Sequence, residues 1–257
     1  LLTLAPILWM FVNSLKSYGQ FYTQNLIYFP FPPTIGNYIE VILRTTLVKY
    51  IRNSLVIAFS TTAISIFFGT LAAYSFSRLE FPLRKSGFVT ILVARVLPPV
   101  SLLVPFYLQA QILNLYNTHF IVTITHIFLC MPFTIWIMKG FFDGIPMSLI
   151  ESARLDGCSE WRILYQVIVP IIKPGIAASA MISFLYSWNE FMFALTLTQS
   201  ENVRTLPVGI NDFLKDVGVA WTNLSAAGIL AAVPAILFVI FFQKYLVKGL
   251  QAGAIKQ

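Results

Sequence analysis

Residues 53–77 and 217–243 contain no charged side chain. Each run exceeds the ~20 residues an α-helix needs to cross ~30 Å of hydrocarbon. Few folds remain open to a chain with two such runs. Of its 257 residues, 58% are hydrophobic and 11% charged, against about 25% charged in an ordinary soluble domain. A water-soluble core of this length has no room for so much apolar surface, whereas a bilayer does. Lipid offers the backbone no hydrogen-bond partner, so spanning segments fold as helices. The expected class is an all-α membrane protein, with the lipid bilayer as its solvent.

Six transmembrane helices are expected, over residues 1–15, 54–76, 88–113, 120–138, 175–198 and 224–242. The third is long enough to need tilt or a break at Pro98–Pro99. The fifth is interrupted at Asn189 and Glu190. The opening "LLTLAPILWM" has no initiator Met and is read as the remnant of the first span, with the native N-terminus missing. Residues 1–257 form one transmembrane domain, and residues 140–174 make a polar loop within it. Lys and Arg divide ten to six between the two sides, the richer side holding this loop and the C-terminus. By the positive-inside rule that side is cytoplasmic. The net charge of +7 follows from this topology. No basic cluster interleaved with aromatics points to nucleic acid. Cys130 lies in an apolar run and Cys158 in the polar loop, so no disulfide framework is expected.

The loop "ESARLDGCSEWRILYQVIVP", residues 151–170, is the most polar stretch of the chain. Pro146 suits a first helical turn, where a missing N–H costs nothing. Residues 147–156 can form about three turns, and Gly157 supplies the positive-φ residue that ends many helices. Ser159 is a good N-cap for a second helix. There Trp161, Leu164, Tyr165 and Ile168 fall at i, i+3, i+4 and i+7, one apolar stripe. Pro170 and Pro174 are expected to end that helix before span five. The pattern is helix, glycine turn, helix. It either joins two spans or presents Glu151, Arg154 and Asp156, beside the small Ser152, Ala153 and Gly157, to a partner's cleft.

The spacing of these residues is similar to a motif of ABC importer permeases. Its pattern is E-A-A, three residues, G, nine residues, I, one residue, L-P. Here stand Glu151-Ser152-Ala153, then Gly157, then Val167-Ile168-Val169-Pro170, with small or isosteric departures at Ser152, Val167 and Val169. "RVLPPVSLLVPFYLQAQILNLYNTH", "PFTIWIMKGFFDGIP", "SWNEFMFALTL", "RTLPVGI" and "VKGLQAGAIKQ" resemble the carbohydrate-importing branch, in particular the second permease subunit of maltose-type systems. The resemblance implies a coupling loop between spans four and five that docks into a groove of an ATPase subunit. It places Glu151, Ser152, Ala153, Arg154, Leu155, Asp156, Gly157 and Pro170 in that contact, with Glu151 as the charged anchor. It implies a C-terminal tail, carrying Gly249, Gly253 and Lys256, that reaches between ATPase subunits, the two glycines making it flexible; the other reading is a frayed tail. The implied partners are a second permease subunit, two ATPase subunits and an extracytoplasmic sugar-binding protein, in a prokaryotic inner membrane. The chain has no G-x-x-x-x-G-K-[ST] loop. ATP and Mg therefore belong to the partner subunits, and no cofactor or metal is expected on this chain.

Polar groups inside spans are expensive and are functional candidates by default. Arg95 lies in span three, near enough to Lys85 to snorkel toward the surface. Trp188, Asn189 and Glu190 either line a translocation path, an aromatic face with an amide and a carboxylate suiting a sugar, or bond a neighbouring span or the partner permease. His119 and His126 share a helix face but lack the further ligands of a metal site. No catalytic constellation is present. The competing class is an ion-gradient-driven transporter or channel, which calls for paired intramembrane carboxylates and an inverted repeat. Glu190 is the one clear intramembrane carboxylate, and no repeat is visible.

Overall fold

The computed structural model describes residues 4–24, 27–212, 214 and 220–254. Among these residues every regular element is helical. Helices α1 (Ala5–Ser14), α2 (Tyr18–Phe21) and α3 (Gly36–Arg44) precede the long α4 (Leu47–Arg78). Then come α5 (Arg84–Ala94), α6 (Pro99–Ile112) and α7 (His119–Asp143). The polar loop holds α8 (Met147–Leu155), α9 (Glu160–Arg162), a π-helical turn over Ile163–Ile168, and α10 (Val169–Ile171). The order ends with α11 (Lys173–Asn189), α12 (Met192–Leu197), α13 (Leu206–Asp212) and α14 (Trp221–Ala254).

Helices α4, α7 and α14 are long and apolar enough to cross a membrane. Two further helix pairs are apolar enough when taken together but are sharply bent at a short break. The segments Arg84–Ala94 and Pro99–Ile112 meet at 93°, and Glu160–Ile171 meets Lys173–Asn189 at 78°. The first break falls at Pro98 and Pro99, each of which disfavours the α-conformation in the residue before it. Counting each bent pair once gives up to five spans. Helix α1, the counterpart of the expected first span, has ten residues. It rises only ~15 Å at 1.5 Å per residue, half the hydrocarbon thickness. Residues 1–3 of that expected span lie outside the described residues.

The described residues form two compact units. One comprises Leu1–Ile57, Gln109–Val122 and Trp188–Leu237. In it, asparagines satisfy backbone that no helix can. Asn37 Nδ2 donates to the Ser14 and Lys16 carbonyls at 2.7 and 2.8 Å. Asn53 Nδ2 donates to Asn202 and Arg204 carbonyls, both at 3.0 Å. Asn117 Oδ1 accepts from Gln199 N and Ser200 N at 2.9 and 3.0 Å. Buried turns are stable only when such groups find partners. Gly209 allows close approach here, since a Cβ at that position would stand 1.9 Å from a Tyr50 ring carbon.

The second unit comprises Ala58–Leu108, Thr123–Ser187 and Phe238–Gln257. Its core joins Ala73 and Tyr74 of α4 to Ile135, Met138 and Phe142 of α7 and to the loop residues Ile150, Ala153, Ile163, Leu164 and Ile168. A polar seam binds α7 to α11. In it His126 Nδ1 lies 2.7 Å from Ser187 Oγ, and Thr134 Oγ1 lies 3.2 Å from Ser183 Oγ. Beside it Phe184 stacks on Phe238 with centroids 3.9 Å apart.

Candidate functional site

The polar loop is built on the core rather than hung from it. Helix α8 turns Ile150 and Ala153 inward, while Glu151, Ser152, Arg154, Leu155, Asp156 and Gly157 are exposed. Ile150, Ile163 and Ile168 are fully buried, and burial of each such side chain from water contributes about 1.5–3 kcal/mol. The helix ends on a paired backbone turn. Cys158 N donates to the Ala153 carbonyl and Gly157 N to the Arg154 carbonyl, both at 3.0 Å. This is the six-to-one, five-to-two pattern of a Schellman motif, which requires a left-handed residue at its centre. Gly157 supplies it, with φ of +78°. Leu155, 89% exposed, and Asp156 stand at the tip. Pro146 sits one residue ahead of the helix, as its N-cap.

The second arm departs from the expected helix. Ser159 does cap it, accepting from Arg162 N at 3.4 Å. Over Ile163–Ile168, however, the winding opens to a π turn. Pro170 accounts for this, because it has no N–H to give the Gln166 carbonyl and its ring crowds that oxygen. The single apolar stripe is thereby split. Leu164 and Ile168 are buried, joined by Ile163, but Trp161 is 62% and Tyr165 49% exposed. Their rings stack on each other with centroids 6.0 Å apart. Pro170 itself is exposed and does not end the arm; helical winding passes through it to Ile171, and the bend follows at Ile172.

Three residues that no motif signals complete the site. Glu160 Oε1 accepts from Arg154 Nε at 2.8 Å, and Glu160 Oε2 accepts from the Tyr74 hydroxyl at 2.7 Å. One carboxylate thus joins α8, α9 and α4. The Arg154 bond, then the Tyr74 bond, holds the Glu160 carboxyl below the usual carboxylate range. Arg154, expected to face a partner, is engaged within the chain. Arg78 Nη2 donates to the Phe142 carbonyl and, at 2.6 Å, to the Ile145 carbonyl. It closes the C-terminus of α7, where a cation also suits the helix dipole. Lys139 and Ser77 both bind Asp143 there, at 2.6 and 2.5 Å. Tyr74 and Arg78 stand four apart at the end of an uncharged run, which is all the sequence offers toward finding them.

The remaining candidates are dispersed. Trp188 is buried and donates through Nε1 to the Ala231 carbonyl at 3.3 Å. It lines an open concavity of about 540 Å³ with Asn189, Pro207, Gly228 and Ala232. Glu190 does not line that space. It lies in the break after α11, and its two oxygens accept from Phe193 N and Ala194 N at 2.8 and 3.0 Å, so it caps α12. Arg95 sits at the bend between α5 and α6, donates to the Leu129 carbonyl at 3.0 Å and covers the Phe133 ring at 5.0 Å. Gly249 and Gly253 are wound into α14, so the extension expected to be flexible is helical as far as Ala254. Lys256 lies outside the described residues. Among the described residues, no three of His, Cys, Asp or Glu converge as metal ligands.

Apolar helices of membrane-spanning length, sharply bent helix pairs and a packed polar loop define a multi-helix membrane protein. The family of binding-protein-dependent transport system inner membrane components matches residues 65–252, and this chain belongs to it. Members of that family are multi-pass membrane components of transport systems and not themselves enzymes. The chain is 32% identical over 253 residues to the sulfoquinovosyl glycerol transport system permease protein SmoH of Agrobacterium fabrum, covering 98% of this chain and 89% of that one. It is 32% identical over 259 residues to the trehalose/maltose transport system permease protein MalG of Thermococcus litoralis, covering 100% of this chain and 92% of that one. Its fold matches a crystal structure of a bacterial ABC transporter involved in import of the acidic polysaccharide alginate. That match has a TM-score of 0.84 at 24% identity, covering 95% of this chain and 91% of the other.

Proposed function

We propose that this chain is one half of the translocation unit of an ATP-driven sugar importer. It pairs with a second permease subunit, two ATPase subunits that bind ATP and Mg, and an extracytoplasmic sugar-binding protein. Residues 140–174 and the C-terminus lie in the cytoplasm. The observation that carries this reading is the geometry of the loop. A helix closed by a glycine turn projects Glu151, Leu155 and Asp156 outward from a base packed on α4 and α7. A rigid projection of that kind transmits displacement, whereas a flexible linker absorbs it. Glu151 is the charged anchor toward a basic group of the ATPase. Trp188 and Asn189 face the transport route, and the end of α14 approaches the ATPase pair.

Glu151→Lys tests the reading, because Glu151 is exposed and engages nothing in the core. Expected is normal membrane insertion with loss of ATPase association or of ATP-dependent sugar uptake. Unchanged uptake overturns it, as does solute movement by this chain alone in liposomes without a nucleotide-hydrolysing subunit. A sugar panel scored by stimulated ATP turnover of the assembled transporter then identifies the substrate.

A further inference from the structure

The corner between α4 and α5 holds a concavity of about 880 Å³ that the transport reading does not use. Its floor is aromatic. Phe76 lies 5.7 Å from both Phe81 and Phe88, centroid to centroid, and Val89 extends the apolar wall. Its rim carries Arg84, Lys85 and Lys139 against a single carboxylate, Glu80. Arg84 is spent on holding the corner, donating to the Phe76, Ser77 and Leu79 carbonyls at 2.7, 2.9 and 3.2 Å. Those bonds are to neutral oxygens, so its charge is not cancelled. Lys139 covers the Phe88 ring at 5.3 Å and pairs with Asp143. Among the described residues no hydrogen bond or ion pair engages the exposed Lys85.

The place of this corner along the chain matters. The uncharged run of α4 ends at Ser77, and the uncharged run of α5 begins at Ser86. The basic rim therefore stands where hydrocarbon gives way to water, at headgroup depth, with Phe76 and Phe88 of the aromatic floor on the hydrocarbon side. Aromatic rings and basic side chains prefer that depth, and basic pockets between spans bind anionic headgroups.

We propose that this concavity seats an anionic phospholipid. Its phosphate lies by Lys85 and the Arg84 charge, and one acyl chain lies along Phe76, Phe88 and Val89. Charge selects the headgroup and the aromatic floor selects a lipid over a free anion. The site belongs to the membrane-embedded fold and does not depend on which solute is carried.

The test uses the chain in its assembled transporter, stripped of lipid by detergent exchange. Phosphatidylglycerol, phosphatidylcholine and inorganic phosphate are each titrated and followed by native mass spectrometry. Phosphatidylglycerol is expected to bind, with phosphatidylcholine weaker. Lys85→Gln weakens phosphatidylglycerol binding about fivefold, the effect of one basic residue near an anionic surface, and Lys85→Arg restores it. Val89→Asn weakens the lipid without altering the charge. Equal binding of the two lipids overturns the proposal, as does an unchanged affinity in Lys85→Gln. Occupancy of the Lys85 site by inorganic phosphate at the affinity of the lipid assigns it to a free anion and overturns it too.

Discussion

Tyr74 and Glu160, 86 positions apart, are joined by a hydrogen bond of 2.7 Å. Tyr74 is buried in α4, and Glu160 opens the second arm of the polar loop. The bond makes the loop part of α4 as well as of α7 and α11, the spans that flank it in sequence.

Removing either end of this bond should loosen the loop without unfolding the bundle. Tyr74→Phe keeps the ring in the core and loses about 1 kcal/mol, the net worth of one hydrogen bond. Glu160→Ala is expected to lower the solute moved per ATP hydrolysed more than it lowers ATP turnover. Measured together, the double variant should be no worse than Glu160→Ala alone. Fully additive losses would mean that the two residues act separately.

Protonation offers a second handle on the same carboxylate. The Arg154 and Tyr74 bonds hold Glu160 below its ordinary range, so its stabilising contribution is complete above the unfolded carboxylate pKa of about 4.3. The contribution is lost as pH falls through the lower, folded value. Thermal unfolding of wild type and Glu160→Gln across pH should show the wild-type advantage flat from neutral to mildly acidic pH and shrinking below that. An advantage that grows on acidification contradicts the assignment.

Arg78 is expected to tolerate no aliphatic replacement. Arg78→Met fills similar space but removes a donor from the Ile145 carbonyl and from the Phe142 carbonyl, which keeps the Ile145 N–H at 3.1 Å. Each buried unsatisfied group costs about 1–3 kcal/mol. A fall in melting temperature larger than that of Tyr74→Phe, with partial recovery in Arg78→Lys, is the expected series.

Glu190 separates a capping role from a substrate role. Glu190→Ala removes both acceptors from the first turn of α12 and should cost about 0.5–2 kcal/mol, while Glu190→Gln keeps one strong acceptor and loses less. A change in sugar preference at unchanged thermal stability would assign Glu190 to the transport route instead.

Gly209→Ala checks the packing of the first unit. The added methyl would fall within the buried Tyr50 ring, and overpacking of this kind costs about 1–3 kcal/mol. Tyr50→Leu in the same chain should relieve part of that loss, which a thermal melt of the pair would reveal.

Local information carried a large part of this protein. Two uncharged runs determine that it lives in lipid, paired prolines at 98 and 99 mark a sharp bend, and Gly157 marks the turn of the loop. Each is a property of a few consecutive residues, set by helix rise, by the absence of an N–H or by the freedom of a residue without Cβ. What the spacing of Trp161, Leu164, Tyr165 and Ile168 could not foretell is that Pro170 opens the winding and sends the two rings outward. Nor does a charge at 154 disclose whether it faces a partner or Glu160, or a carboxylate at 190 whether it meets a solute or the N–H groups of Phe193 and Ala194. Those choices rest on which helices come together across tens of residues. Tertiary packing alone decides them, because a buried or half-buried polar group takes the partner that the surrounding backbone brings within about 3 Å.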